Sequence, residues 1–351
     1  MARWTTEVRR DPDVYSELSE WWDAQPVARQ VPFMNSNLLA CWQEGFDEPG
    51  SRRHVMLLYR DAELVAGLPF YAAGGRLRTP GRAHADSIDV VAVPDSDVAD
   101  HLPGWLDKVS IAHLYRFREE SHLVEAVETH SRWSIPLVLK SPYVDLTQGI
   151  EKVRSGFSKE FARTLRRRRR RLEELGPVTY VDHPAPADLE AVLNEGFRLE
   201  AEGWKGKEGT AVLNQPTHDR WYRSVAEVAQ ERGWLKLSAL YLDDRMVAFR
   251  YDLEYADRRY GQISSYDESP DVNFSTGSLL LELALEQSAA DGLGTYEFGY
   301  GSHPWKYNWT SQERRLYDIL VVGSGIGGRL VSIAQRLSNR RGTRHRGPMD
   351  D

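Results

Sequence analysis

Two stretches of this chain repeat one another. In LYRDAELVA and LYLDDRMVA, Leu58, Tyr59, Asp61, Val65 and Ala66 recur as Leu240, Tyr241, Asp243, Val247 and Ala248, at a constant offset of 182 in a chain of 351 residues. Each copy reads as a strand, a short polar turn and a second strand. An amphipathic helical stretch opened by a capping-type residue precedes each hairpin: Ser36 with NLLACWQEGF, and Thr217 with HDRWYRSVAEVAQERG. A unit repeated at about half the length predicts two related domains. The spacing places them at residues 1–150 and 151–338, joined near 140–155, with a polar tail at 339–351 expected to be disordered.

Composition narrows the functional classes. The chain carries 45 Lys and Arg against 52 Asp and Glu, a net charge of −7, which argues against coating of nucleic acid by the whole surface. A single cysteine, Cys41, excludes an internal disulfide and the zinc patterns built on paired cysteines. None of the ten histidines falls in an H-E-x-x-H type spacing, so no metal is expected. No apolar run is long enough to span a membrane, and the opening MARWTTEVRRDPDV lacks the apolar centre of a secretory signal, so a cytoplasmic location is expected.

The second half has the cleaner periodicities. VTYVD at 178–182 reads as a strand, 187–203 and 217–232 as helices, and 234–242, 246–255 and 258–267 as strands rich in β-branched and aromatic residues. A helix at 276–291 follows, with Ser275 and Thr276 as caps and Leu279, Leu280, Leu283 and Leu285 on its apolar face. TYEFG is another strand, 316–322 a further one, and 327–338 a last helix. The mixed α/β order, with antiparallel strands predominating, is the fold class the chain predicts.

Two motifs lie within this order: LEAEGWKGKEGTA from Leu199 to Ala211, and FGYGSHPWKYNW, which carries Trp305, Lys306 and Trp309. With these motifs the chain resembles the tandem-GNAT acyltransferases, which include the CelD-type acetyltransferases and are related to the Fem-type transferases that use aminoacyl-tRNA. The resemblance covers nearly all of residues 30–330. It implies two GNAT-like domains, each a mixed, mostly antiparallel sheet flanked by helices, and an acyl-CoA or aminoacyl-tRNA co-substrate with no bound cofactor. It also implies that Lys306, in the matching aromatic-lysine pair, contributes to catalysis or donor placement.

Acyl transfer to an amine needs a cradle for the donor's phosphates, a base for the amine proton and donors for the developing oxyanion. Ser275, Thr276 and Gly277, at a helix N-terminus, are the candidate cradle, although the Q/R-x-x-G-x-G/A signature common in GNAT proteins is absent. Glu200, Glu202, Asp267 and Glu297 are the candidate carboxylate bases. Desolvation would have to raise their pKa, and Asp267 after Tyr266 and Glu297 in an apolar strand suit that best. His303 needs no such shift. Lys306, between Trp305 and Tyr307, is a candidate oxyanion or phosphate partner, and Glu200, Trp204, Lys205, Tyr266 and Trp305 are candidate substrate contacts. The acceptor expected is a small-molecule or peptide amine.

Residues 151–180 hold ten Lys or Arg against four Asp or Glu, and Arg166 to Arg171 are consecutive. Phe157, Phe161, Leu165, Leu172 and Leu175 nevertheless form a stripe at helical spacing, stopped by Gly176 and Pro177, which predicts an amphipathic helix with arginine on its remaining faces. Arg168 falls at the gap in the stripe and is a candidate contact to a substrate carboxylate or phosphate in an inter-domain cleft, and the run as a whole is a candidate tRNA surface. Gly323, Gly325 and Gly328 mimic a dinucleotide fingerprint, but only 23 residues follow Gly328, too few for the rest of such a site.

Overall fold

A computed structural model of the chain describes residues 2–46, 52–73, 76–81, 84–94, 97–182, 188–269, 272 and 274–323. The helix expected at 327–338, the tail at 339–351 and the two later glycines of the fingerprint lie outside the described residues.

In chain order the first elements are β1 (Trp4–Arg9), α1 (Val14–Glu17), α2 (Ser19–Asp23), α3 (Pro26–Gln30), α4 (Ser36–Gly45), β2 (Arg52–Arg60), β3 (Glu63–Ala73) and β4 (Arg76–Arg78). Next come β5 (Val91–Ala92), α5 (Val98–Leu106), β6 (Ile111–Arg118), α6 (His122–Thr129), β7 (Trp133–Asp145), α7 (Ile150–Ser155), α8 (Lys159–Glu173) and β8 (Val178–Asp182). The remainder are α9 (Leu189–Glu202), α10 (Trp204–Lys207), α11 (Pro216–Glu231), β9 (Leu235–Leu242), β10 (Arg245–Tyr255), β11 (Arg258–Tyr266), α12 (Thr276–Ala290), β12 (Thr295–Glu297) and β13 (Glu313–Val322).

The chain divides into two compact units, neither of them one continuous stretch. The first takes the described parts of residues 1–27, 48–138 and 316–351, the second those of 28–47 and 139–315. Residues 28–47 join the second unit because α4 packs on α11: a Cβ on Gly45 would lie 3.0 Å from that of Trp221, and Arg232 donates to Asn37 at 2.7 Å. The caps differ by one or two residues from those expected. Asn35, whose side chain accepts from the Asn37 N–H, caps α4 in place of Ser36; α11 starts at Pro216, which leaves Thr217 inside the helix.

In the first unit the strand order is β1-β2-β3-β4-β6-β13, with β5 also paired to β3; only β4 and β6 run parallel. In the second it is β7-β12-β11-β10-β9-β8, and only β11 and β12 run parallel. The repeated hairpins are β2–β3 and β9–β10. Asp61, Ala62 and Asp243 adopt left-handed backbone in their turns, with φ of 49°, 71° and 53°, and aspartate is among the few residues that tolerate this.

One face of the second sheet packs on α9 and α11. Phe249 meets Phe197 edge-on, and Tyr251 meets Tyr222, α9 approaching so closely at Gly196 that a Cβ there would lie 2.4 Å from the Phe249 ring. On the other face Leu240, Val247 and Ala248 form one core with Leu279, Leu280, Leu165 and Leu172 of α12 and α8. A charge network, buried throughout, crosses four strands, β9 to β12. Arg259 Nε donates to Asp252 at 2.9 Å and its Nη2 to Ser238 at 2.6 Å, Arg250 reaches Tyr296, and Tyr296 Oη donates to Asp252 at 2.8 Å. Buried charges of both signs fix strand register, since a slip would strand one of them.

The arginine helix forms as its periodicity requires. Ser158 caps α8, accepting from Phe161 N at 3.1 Å, and Phe157 and Phe161 set their edges against Trp309. Leu165 and Leu172 are buried, but Leu175 lies beyond the end of the helix and is 49% exposed, so the stripe is one residue shorter than expected.

Candidate active site

In the second unit the parallel ladder between β11 and β12 covers three pairs, Arg258–Thr295, Arg259–Tyr296 and Tyr260–Glu297, and stops there. β11 runs on to Tyr266, while the chain after β12 turns to β7: Phe298 N donates to Pro142 O and Gly301 N to Lys140 O. Two parallel strands thus part company in a wedge. β11 carries a bulge at its mouth, where Asp252 pairs with Gly261 and Tyr251 with Ile263, leaving Gln262 unpaired. Unpaired strand edges of this kind offer backbone donors and acceptors to an extended ligand.

α12 begins beside this wedge. Ser275 takes left-handed backbone (φ 55°) just before the helix, and Gly277 lies against Tyr266, where a Cβ would come within 3.0 Å of the ring. The Thr276 hydroxyl donates to Val247 O at 2.8 Å, so it braces the helix start while its backbone N–H remains in the first turn. Its first turn holds no acidic residue, which leaves the positive end of the helix dipole uncompensated by a carboxylate of its own.

On the α9 side a small pocket is lined by Glu200, Trp204, Lys205, Ser264, Tyr266 and Glu268, among others. It brings together four of the residues singled out in the sequence: Glu200, Trp204, Lys205 and Tyr266. Glu200 is 4% exposed and accepts from Lys205 Nζ at 2.6 Å and from Val212 N at 2.9 Å. The WKG segment is a turn of helix, α10, pressed so tightly on α9 that a Cβ on Gly206 would lie 1.7 Å from Ala201 O. Trp204 is 47% exposed at the pocket rim. Burial lowers the pKa of His218, and burial together with the Glu200 and Tyr300 charges pushes that of Tyr222 well up. Both groups are therefore neutral near pH 7.

The other expected site residues have different surroundings. Asp267 lacks the raised pKa a base needs: burial pushes it up, but hydrogen bonds from Ser269 and Arg245 outweigh burial and hold it below the usual carboxylate range. Glu297 is buried, but Arg314 pairs with it at 3.1 Å and lies over the Tyr143 ring. Lys306 is 4% exposed, and its ammonium donates to Gly299 O at 2.8 Å and Tyr300 O at 2.9 Å, which fixes the chain where it leaves β12. His303 and Trp305 are exposed, and so is Glu202 at the end of α9, which pairs with Arg198 at 2.6 Å. Arg168 is half-buried, its pKa lowered by burial and by Arg167; its neighbour Arg169 is the one that reaches an acid, Glu282, at 3.0 Å.

Sequence reasoning missed Arg314 and Glu268. Glu268 accepts from Trp204 N at 3.0 Å and from Lys207 at 3.0 Å, so it fixes α10 over the pocket; its place directly after Tyr266 and Asp267 was the available signal. Cys41 is buried in α4, with its thiol pushed up to about 11 by burial, and is no nucleophile. Among the described residues no group of three or more His, Cys, Asp or Glu is placed to hold a metal ion, and no helix is long and apolar enough to cross a membrane.

This geometry has known counterparts. Residues 159–307 match the family profile of the acetyltransferase (GNAT) domain. No curated protein matches the chain in sequence. Among solved structures, FemX superposes with a TM-score of 0.57 at 9% identity, covering 93% of this chain and 99% of its own. The C-terminal domain of a protein assigned as a lysylphosphatidylglycerol synthetase, from Agrobacterium fabrum, gives 0.56 at 13% identity, over 93% and 97%. L-PGS from Bacillus licheniformis gives 0.53 at 14%, over 95% and 98%. At such identities the likeness establishes the fold, and the family match places an acetyltransferase (GNAT) domain at residues 159–307 of a chain that has the fold of the GNAT acyltransferases.

Proposed function

We propose that the chain transfers an acyl group from an acyl-CoA thioester to the amine of a small molecule or peptide, and that the second unit carries the chemistry. The observation that carries this reading is the end of the β11–β12 ladder at Tyr260 and Glu297. A pantetheine arm is extended and amide-bearing, so it suits two unpaired strand edges, while its pyrophosphate suits the start of α12 at Ser275, Thr276 and Gly277. The acceptor enters the pocket lined by Glu200, Trp204, Lys205 and Tyr266. Its amine nitrogen attacks the thioester carbon, the carbon–sulfur bond breaks, and CoA leaves as the thiolate, which becomes the thiol when the proton lost by the amine is passed to its sulfur. Glu200, held by Lys205 and the Val212 amide, takes the amine proton. Lys306 acts through the carbonyls of Gly299 and Tyr300, holding the strand exit in place.

A second reading, an aminoacyl-tRNA donor, is favoured by one observation. Arg163, Arg166, Arg167, Arg170 and Arg171 are exposed on α8, at spacings that line them along one side of the helix. Such a stripe suits successive phosphates, and the fold shared with FemX agrees with it. Both donors are cytoplasmic, in keeping with the expected compartment.

Binding of coenzyme A and of a mixed aminoacyl-tRNA pool, measured side by side at about 150 mM salt, separates the two. The first reading predicts micromolar binding of coenzyme A and no salt-resistant tRNA complex. Tight tRNA binding that weakens when Arg166 to Arg171 are neutralised supports the second, and binding of neither contradicts both.

A further inference from the structure

The first unit contains the same wedge, closed by its own chain. Registers in the two units match at the offset of the sequence repeat. Tyr71–Arg78, Ala72–Leu77 and Ala73–Arg76 between β3 and β4 correspond to Leu253–Tyr260, Glu254–Arg259 and Tyr255–Arg258 between β10 and β11. Ala66–Ala92 and Gly67–Val91, between β3 and β5, correspond to Ala248–Tyr266 and Phe249–Ser265. β4 and β5 together therefore take the place that β11 holds alone. Between Tyr260 and Ser265 the second unit has four residues, 261–264; between Arg78 and Val91 the first has twelve, 79–90, which is eight more.

These extra residues lie where the parallel partner strands would otherwise part. β6 pairs in parallel with β4 at Leu77–Ala112 and Arg78–His113, as β12 pairs with β11. Beyond that point the insertion continues the contact. Tyr115 N donates to Thr79 Oγ1 at 2.9 Å, Ile88 N to Arg116 O at 3.2 Å, and the Arg116 guanidinium to Ala85 O. Arg118 donates to Ser87 Oγ at 3.3 Å, and Ser121 Oγ to Asp89 at 2.5 Å. Every residue from His84 to Ala92 is buried. Arg116 takes left-handed backbone (φ 62°) within β6, a strained conformation for arginine, where the insertion meets the strand.

We infer that the first unit holds a latent donor site, plugged by residues 84–90, so that each chain binds a single acyl-CoA, in the second unit. The inference rests on the reading of the open β11–β12 wedge as the donor site. Its structural part can be tested without any donor.

Two measurements on the full wild-type chain decide it. In hydrogen exchange, the Ile88 amide and its neighbours in 84–90 are expected to exchange as slowly as those of β6. Exchange as fast as an exposed loop would overturn the plug. Titration with coenzyme A is expected to give one molecule per chain, and two would overturn the inference. No coenzyme A bound to a chain whose Ile88 amide exchanges slowly leaves the plug standing and counts against the donor reading alone. A variant in which Gly-Gln-Ile-Ser replaces residues 79–90 is expected, where it folds, to raise the stoichiometry from one to two. A folded variant that still binds one molecule would overturn the claim of a latent site.

Discussion

Val65 and Val247, 182 residues apart, are each the extra residue of a β-bulge just past a hairpin turn. In the first hairpin Leu58 pairs with Ala66 and Tyr59 with Leu64; in the second Leu240 pairs with Ala248 and Tyr241 with Met246. Both valine carbonyls accept a backbone N–H from the residue that follows the strand paired on the other side, Val93 after β5 at 2.9 Å and Asp267 after β11 at 3.0 Å. At Val247 a helix start adds a further donor, the Thr276 hydroxyl.

Thr276→Val should therefore weaken the second unit at this joint. The substitution keeps the shape and removes a buried hydroxyl bond, an expected loss of about 1 kcal/mol in urea unfolding. Affinity for coenzyme A should fall with it, because the start of α12 is released.

Glu200→Ala should be the most damaging change at the pocket. It leaves the Lys205 ammonium and the buried Val212 N–H without their acceptor, at an expected cost of about 3 kcal/mol in stability. Glu200→Gln keeps one acceptor oxygen for those two donors and loses the proton-accepting carboxylate, so its expected effect is a fall in kcat of at least about tenfold with donor affinity unchanged, read by steady-state kinetics beside coenzyme A titration. An unchanged kcat would remove Glu200 as the proton acceptor.

Lys306→Ala should act on binding more than on chemistry. Two carbonyls lose an ammonium donor, an expected loss of about 2 kcal/mol in stability, with a rise in KM for the donor. A fall in kcat with KM unchanged would instead give Lys306 a direct part in the transition state.

The first unit should lose stability as pH rises toward neutrality. Burial raises the Asp89 pKa to about 7, against the hydrogen bonds from Ser121 and Val90 and the Arg118 charge, with Glu120 adding to the rise. The unfolded carboxyl titrates near 3.9. The folded chain thus holds more protons between about pH 4 and 7, so the stability tied to Asp89 is full below about pH 4 and is lost as pH rises through about 7. Asp89→Asn should flatten this slope, seen as a smaller change in Tm between pH 5 and pH 8.

Local order was legible in the residues, and long-range pairing was not. The helices at 189–202, 216–231 and 276–290 and the strands around them follow from apolar spacing, and the hairpin repeat marks the two bulges by their valines. Periodicity cannot show that Arg169, not Arg168, reaches an acid, because Glu282 is 113 residues away. Nor can it show that Glu297 is neutralised by Arg314, or that 28–47 leave the first unit to pack on α11, since both depend on which elements become neighbours. Glu200, Trp204, Lys205 and Tyr266 were singled out by the WKG motif and by residue chemistry, and the turn at α10 brings them to one pocket, a neighbourhood that no spacing in the sequence gives.

The central claim, that the donor lies where β11 and β12 part, is tested most directly by hydrogen exchange on the full chain with and without saturating coenzyme A. Slower exchange at 261–266, 276–278 and 298–301, with 84–90 unchanged, is the predicted result. Binding with none of those amides protected would contradict it.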